Sequence, residues 1–509
     1  MPTPFGRFLS LVFALGLVLF VPNLPAAEVP FAIEVIDDQT GRGVPLVELR
    51  TVDGTSFWTD SNGLIAFNEP GLLGQKVFFH VESPGYEVAK DGFGSRGQAL
   101  DVRPGGAAKI KIKRTQIGER LYRVTGVGIY RDSVLLDRPA PIREPTLNGL
   151  VAGQDSVQVV AWQDKLLWLW GDTNRPAYPL GLFHTSGATS LPPNAGGLDP
   201  SRGVDLTYYV GKDGFSRAMA AIEGPGVVWL EGLAPVDDGG RRRLVARYSR
   251  LKGLGEMLEH GLAIFDDQGA VFRKHCQFDM ADQWHCPRGQ ATEQTAEGTK
   301  YLLFASPYPI VRVPATLAAV SDPRQYEAFT CLPPGGRFAG KDTRLDRDGG
   351  KLVYGWKRGA QPLEPGQENE LLKAGLLKPE EVRFLPKDVA GDRRVILHSG
   401  SVHWNAYRKR WLAIAVEVGG KESFLGEVWL SEAESPTGPW TRAVKIATHP
   451  HYSFYNPTQH PFFDQQGGRL IYFEGTYTAS FSGNRQTTPR YEYNQLMYRL
   501  DLADPRLAQ

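Results

Sequence analysis

Cysteine is scarce in this chain: Cys276, Cys286 and Cys331 are the only three among 509 residues. So few thiols exclude a disulfide-stapled scaffold and a multi-cysteine zinc array. An excess of either charge is missing too. The 57 basic side chains stand against 56 acidic ones, so the electrostatic footprint of a nucleic-acid or anionic-membrane binder is absent. Beyond residue 21 no apolar run is long enough to span a bilayer. These absences leave a neutral or small partner as the expectation.

The opening of the chain does carry one apolar run. Arg7 precedes Phe8–Val21, and Leu24-Pro-Ala-Ala27 supplies a small-residue exit before Glu28. That order reads as a signal peptide over 1–27, which predicts a secreted or periplasmic protein free of the membrane after cleavage. In an oxidising compartment Cys276 and Cys286 could close a disulfide across a loop, with Cys331 left over or replacing one of them. His275-Cys276 and His285-Cys286 imitate a zinc site, but their spacing fits no standard pattern and no metal ligand is assigned.

Glycine and proline are abundant, 57 and 37 residues, without periodicity. Many turns between short strands are implied. From Pro30 to Arg114 short apolar runs alternate with turn signals at Asp38–Gly41, Asp53-Gly54, Asp60–Gly63 and Pro84-Gly85, a pattern that favours a β-sandwich over 28–115. The stretches Asp38-Gln-Thr-Gly-Arg-Gly-Val-Pro-Leu-Val-Glu-Leu, Thr59-Asp-Ser-Asn-Gly-Leu-Ile-Ala-Phe and Ser83-Pro-Gly-Tyr86 resemble the carboxypeptidase-regulatory, transthyretin-like module. The resemblance implies a packing or docking role and no chemistry.

After a linker over 116–147 the pattern changes to longer aromatic strands over 148–505. Strand pairs are expected near Asp155–Trp170, Val227–Tyr248, Tyr301–Val313, Ser401–Val416 and His460–Phe473. Their spacing is too uneven for a motif-defined repeat array. Five irregular units fit a five-bladed β-propeller, and a two-sheet sandwich of this length would need far longer strands or two domains. The fold class expected is therefore all-β, an N-terminal β-sandwich followed by a five-bladed propeller. Glu364–Lys378 breaks the β pattern and reads as a short helix inserted in the longest gap.

The most informative stretch is the hairpin Asp155-Ser-Val-Gln-Val-Val-Ala-Trp162, Gln163-Asp164-Lys165, Leu166-Leu-Trp-Leu-Trp-Gly-Asp172. Antiparallel pairing brings the start of the first strand beside the end of the second, so Asp155 and Asp172 emerge together. Paired carboxylates in a partly dry cleft suit glycoside hydrolysis, because crowding raises one pKa and splits acid from base. The competing reading makes both turn and cap residues.

Propeller sites gather side chains from several blades, so acids at equivalent strand exits were compared. Glu417 after Trp411–Val416 and Glu474 after Leu470–Phe473 echo Asp172, and both join the catalytic candidates on that ground alone. Glu231, His403, Trp404, Asn456, His460 and Tyr477 are the candidate substrate-binding residues. Four have a plainer alternative: Glu231 on a solvated face, His460 as a satisfied structural histidine, Trp404 and Tyr477 as packing aromatics.

The opening hairpin also resembles that of secreted five-bladed propellers grouped as a domain of unknown function, whose members are endo-acting D-arabinanases. The resemblance implies that Asp155 and Asp172 are the catalytic pair, and that Gly426–Trp440 is the outer part of a blade. Glu417 and Glu474 match no motif of that group. The function expected is a glycoside hydrolase acting on a polysaccharide or oligosaccharide, arabinan-like for preference, as a monomer with no cofactor. An axial calcium ion is compatible with converging oxygen ligands. The alternative is a non-catalytic carbohydrate- or protein-binding propeller.

Overall fold

A computed structural model describes residues 1, 29–182 and 184–507. The expected signal peptide, apart from Met1, lies outside the described residues. Two four-stranded sheets open the described chain. One has the order Leu64–Phe67, Phe31–Asp37, Ala107–Arg114, Tyr86–Glu87; the other has Ser56–Trp58, Glu48–Thr51, Lys76–Glu82, Gly97–Asp101. Alternation drives their packing: in Lys76–Glu82 every second residue (Val77, Phe79, Val81) is buried, and these meet Ile33, Val35, Phe67, Ile110 and Ile112 between the sheets. Gly63, at φ +75°, turns the chain where an added Cβ would fall 2.6 Å from the Val35 carbonyl, so no larger residue fits.

The remainder forms a five-bladed β-propeller. The innermost strands are Gln158–Trp162, Val227–Asp238, Gln290–Ala296, Leu397–Asn405 and Ser453–Gln459, each heading a sheet of antiparallel strands, to which Ala220–Ala221 in blade 2 and Lys387–Asp388 in blade 4 add a parallel outer strand. Blade 5 is completed from the other end of the ring. Glu119–Arg123, inside the stretch read as linker, pairs antiparallel with Asn494–Asp501 as its outermost strand. Joining early and late segments in one sheet ties the ring shut and covers an edge.

Each blade is buried on both faces, which explains the continuous apolar strands of the sequence. In Lys165–Trp170, Leu166, Trp168 and Trp170 pack toward blade 5 with Tyr472 and Met497, while Leu167 and Leu169 pack toward blade 2 with Val228, Leu230 and Leu244. The five expected strand pairs fall in the five blades. In blade 3, however, Tyr301–Val313 covers the second and third strands, and in blade 5 His460–Phe473 starts just past the inner strand Ser453–Gln459 and reaches only the second. The inner strand of blade 3, Gln290–Ala296, is polar (Gln-Ala-Thr-Glu-Gln-Thr-Ala) and carries no apolar signal. The expected helix spans Pro365–Lys373, capped at Glu364 and burying Leu371 against Leu332 and Leu363.

The three thiols are all free. Cys286 and Cys331 are buried in different clusters, and the Cys276 Sγ faces the Ser321 carbonyl, so the expected disulfide does not form. Among the described residues no helix is long and apolar enough to cross a membrane.

Candidate active site

The inner strands begin around one mouth of the propeller axis, and there a cavity of about 630 Å³ opens, a size suited to a small ligand or a few sugar rings. Strand irregularities shape it. The register slips between Glu231 and Ala234 in blade 2, between Leu397 and Ser399 in blade 4, and between Tyr455 and Thr458 in blade 5, all at the cavity rim. Such bulges re-aim side chains out of the sheet. Ser156 and Asn456 both take positive φ, +55° and +52°, and the Asn456 amide donates to the Ser156 hydroxyl at 2.7 Å. Two strained residues thus clamp blade 5 to blade 1 beside the site.

The hairpin register places the two aspartates. Gln158 pairs with Leu169, and the same register carried outward sets Asp155 opposite Asp172. The Asp172 amide donates to Asp155 Oδ1 at 2.9 Å, and the Tyr455 hydroxyl donates to Oδ2 at 2.7 Å. Tyr493 brings a further hydroxyl within hydrogen-bonding reach of the same carboxylate. Gly171 makes room for this: a Cβ there would lie 2.3 Å from Asp155 Oδ1. Burial raises the Asp155 pKa while these donors pull it back.

Asp172 is poorer in partners. Its Oδ1 is buried with no hydrogen-bond partner among the described residues, and its side chain takes one hydrogen bond from Trp229. Burial, and then the Asp155 charge, push its pKa up to about 7, against that Trp229 bond. Burial raises both adjacent carboxyls, and the donors around Asp155 favour its ionised form over that of Asp172.

Glu231 stands in the wall of the same cavity with both oxygens engaged. Arg247 donates to Oε1 at 2.6 Å and the Gly289 amide to Oε2 at 3.0 Å. Burial works to raise its pKa, but the Arg247 charge and the Gly289 bond outweigh it and hold the carboxyl below the ordinary range. Trp229, Leu180, Leu254 and the exposed Phe481 supply apolar lining. The Gln290 amide crosses the axis at the floor, donating to the Val157 carbonyl and the Thr458 hydroxyl.

Of the ten residues singled out from the sequence, Asp155, Asp172, Glu231 and Asn456 line this cavity. The other six are outside its lining. Glu417 does close its strand, but it faces the interface between blades 3 and 4, where Arg393 grips both its oxygens and the Trp429 indole donates at 3.0 Å. Glu474 is not a strand exit at all: the strand runs to Thr478, and the carboxylate is buried between blades 5 and 1 against His460 Nε2 at 2.9 Å. His460 is itself enclosed by Trp168, Phe462 and Phe463. Tyr477 stacks on Tyr452. His403, with a pKa pushed down to about 4 by burial and then by His460, lies farther along the inner strand of blade 4. Trp404 lies four residues beyond the cavity-lining Gly400, roughly 13 Å along that strand.

Tyr455, Tyr493, Trp229 and Gln290 were not singled out from the sequence. Tyr455 adjoins Asn456 and Trp229 lies two residues from Glu231, so alternation along the same strands pointed toward both. Tyr493 precedes a third strand and gives no such signal. Among the described residues no group of three or more His, Cys, Asp or Glu is placed to hold a metal ion.

The fold and this cavity define a five-bladed propeller with an unequal aspartate pair at one end of its axis. No protein-family model matches the chain, and no curated protein matches it. Solved structures similar in fold include an exo-β-1,3-galactanase from Phanerochaete chrysosporium with β-1,3-galactotriose, at 11% identity and a TM-score of 0.37 over 76% of this chain and 66% of that one. The chain therefore spans just under two thirds of that galactanase's length. An α-L-arabinanase from Penicillium chrysogenum with arabinobiose matches at 12% identity and a TM-score of 0.35, over 76% of this chain and 99% of that one. An N-acetylgalactosamine deacetylase from F. plautii matches at 11% and 0.34, over 74% and 94%.

Proposed function

We propose that this protein is an exported glycoside hydrolase that cleaves a polysaccharide or oligosaccharide with Asp172 as general acid and Asp155 as its carboxylate partner. The observation that carries the reading is the inequality of the two carboxyls. Asp172 has a buried oxygen without a partner among the described residues and a pKa pushed up to about 7 by burial and then by the Asp155 charge, while Asp155, whose pKa burial also raises, accepts from the Asp172 amide and the Tyr455 hydroxyl, donors that favour its charge.

In the reaction Asp172 gives its proton to the glycosidic oxygen as the bond to the anomeric carbon breaks. The ionised Asp155 stabilises the positive charge that develops on the sugar ring; a water molecule then adds its oxygen to the anomeric carbon and gives a proton to the Asp172 carboxylate, which restores the acid. Glu231, kept ionised by Arg247, accepts hydrogen bonds from sugar hydroxyls, and Trp229 and Phe481 offer ring faces for stacking. Arabinan-like polymers are the first substrates to try, on the strength of the opening hairpin's resemblance.

The test is reducing-sugar release by residues 28–509 from arabinans, xylans, fructans and galactans, beside Asp155→Asn and Asp172→Asn. Release that both substitutions reduce at least 100-fold, in variants that stay folded, is expected. Retained binding with no release from any polymer would turn the cavity into a lectin-like site.

A further inference from the structure

Three consecutive residues before the third strand of blade 5 each grip a different part of the molecule. Tyr491 is buried with its hydroxyl in the sandwich, donating to the Thr59 carbonyl at 2.5 Å and accepting from the Leu46 amide at 2.9 Å. Glu492 turns the other way, into blade 5, where it accepts from the Thr478 and Tyr452 hydroxyls and from the Ala479 amide. Tyr493 turns toward the axis: its carbonyl accepts from the Gln154 amide at 2.8 Å and its hydroxyl faces Asp155.

The segment is held in a costly backbone shape, with Arg490 and Tyr493 at φ +64° and +59°. Besides the Tyr491 hydroxyl in the sandwich, it is held by Arg123 of blade 5's outermost strand and by Asp132 of the short helix Arg131–Leu135, both tied to the sandwich. Arg123 stacks its guanidinium 4.7 Å from the Tyr491 ring centre and donates to the Arg490 carbonyl, while Arg490 pairs with Asp132 at 2.8 Å. Asp132 in turn accepts from the Ala66 amide of the sandwich, and the Arg123 amide donates to Ser61. Gly153 permits the close approach, since a Cβ there would lie 2.4 Å from the Tyr493 carbonyl.

We infer that the N-terminal sandwich is a positioning element for the active site: through the Tyr491 hydroxyl it fixes residues 490–493, and thereby sets the Tyr493 hydroxyl against Asp155. Tyr491 touches neither substrate nor the aspartates and is a positioning residue. The inference rests on the proposed roles of Asp155 and Asp172. It goes beyond them in giving the sandwich a part in the chemistry.

The experiment compares wild type, Tyr491→Phe, Tyr493→Phe and the double variant of residues 28–509 in two readouts. The first needs no substrate: amide hydrogen exchange at 153–155, 171–172 and 490–495, where the Asp172 amide reports directly on its acceptor Asp155. Faster exchange at all three stretches in Tyr491→Phe, with the blade cores unchanged, is expected. The second is the pH dependence of kcat/KM on whichever glycan the enzyme cleaves. Tyr493→Phe removes a donor that favours ionised Asp155, so the acidic limb moves up by about one pH unit. Tyr491→Phe moves it part of that way, and the double variant goes no further than Tyr493→Phe alone. Faster exchange confined to 490–492, or an unmoved acidic limb in Tyr491→Phe, or strict additivity in the double variant, would each overturn the inference. If no glycan is cleaved while exchange at 153–155 and 171–172 still responds to Tyr491→Phe, the hydrolase reading falls and the structural coupling stands.

Discussion

Asp172→Asn tests the acid by thermodynamics before any substrate is known. The folded protein keeps the Asp172 proton to about pH 7, whereas an unfolded chain loses it near the ordinary value of 3.8. Between these values the native state binds more protons than the unfolded state, so stability falls as pH rises through the window, by about 1.4 kcal/mol per unit. Above pH 7 the loss saturates at about 4 kcal/mol, the cost of a charge that is only 9% exposed and sits beside another carboxylate. Asparagine carries no such charge. The variant should therefore gain on wild type progressively from pH 4 to 7, with a difference between pH 5 and pH 8 of about 3 kcal/mol. Urea denaturation followed by tryptophan fluorescence at pH 5, 6, 7 and 8 measures it, and other titrating groups cancel between the two proteins. Parallel stability curves over that range would mean that Asp172 titrates as an ordinary surface carboxyl, and the general-acid role would go with them.

The remaining expectations follow from neighbouring contacts. With Asp155→Asn in the background, the pH-dependent gain of Asp172→Asn should shrink, because part of the raised pKa is the Asp155 charge; an undiminished gain would assign the shift to burial alone. Gly171→Ala puts a methyl into Asp155 Oδ1 and should lower kcat at least tenfold while the melting temperature falls by only a few degrees. Glu417→Gln and Glu474→Gln should each cost about 2 kcal/mol of stability, for broken buried pairs, and leave kcat/KM within about threefold of wild type; a 100-fold kinetic loss in a folded variant would return either acid to the site. Trp404→Ala should leave KM unchanged, as measured on the substrate that wild type cleaves, since Trp404 is remote from the cavity.

The sequence made the blades legible because a sheet buried on both faces must be apolar on both, and Leu166-Leu-Trp-Leu-Trp170 could belong nowhere else. It hid what departs from that rule. The inner strand of blade 3 is polar because it lines the axis, and Glu119–Arg123 joins blade 5 from more than 370 residues away, a pairing that no local pattern encodes. The strand-exit argument placed Asp172, Glu417 and Glu474 on one footing. What separates them is their surroundings: Gly171 leaves room for the Asp155 carboxylate beside Asp172, while Glu417 sits in a blade interface with Arg393 and Glu474, in mid-strand, in another with His460.

The same distinction explains why the site could be found from one hairpin. In an antiparallel pair the register fixes which side chains lie opposite, so two acids bracketing a short turn at equal distances must meet, whatever the rest of the chain does. Their inequality is not local. It comes from burial and the Asp155 charge at Asp172, which the Trp229 bond only partly offsets, and from Tyr455 and Tyr493 of blade 5 around Asp155. Two identical side chains therefore differ only in the closed ring, since closure brings Tyr455 and Tyr493 of blade 5 beside a hairpin of blade 1. That is the reason to place the chemistry here: a propeller that merely bound its ligand would have no need to leave one buried carboxyl oxygen without a donor while crowding donors around its neighbour.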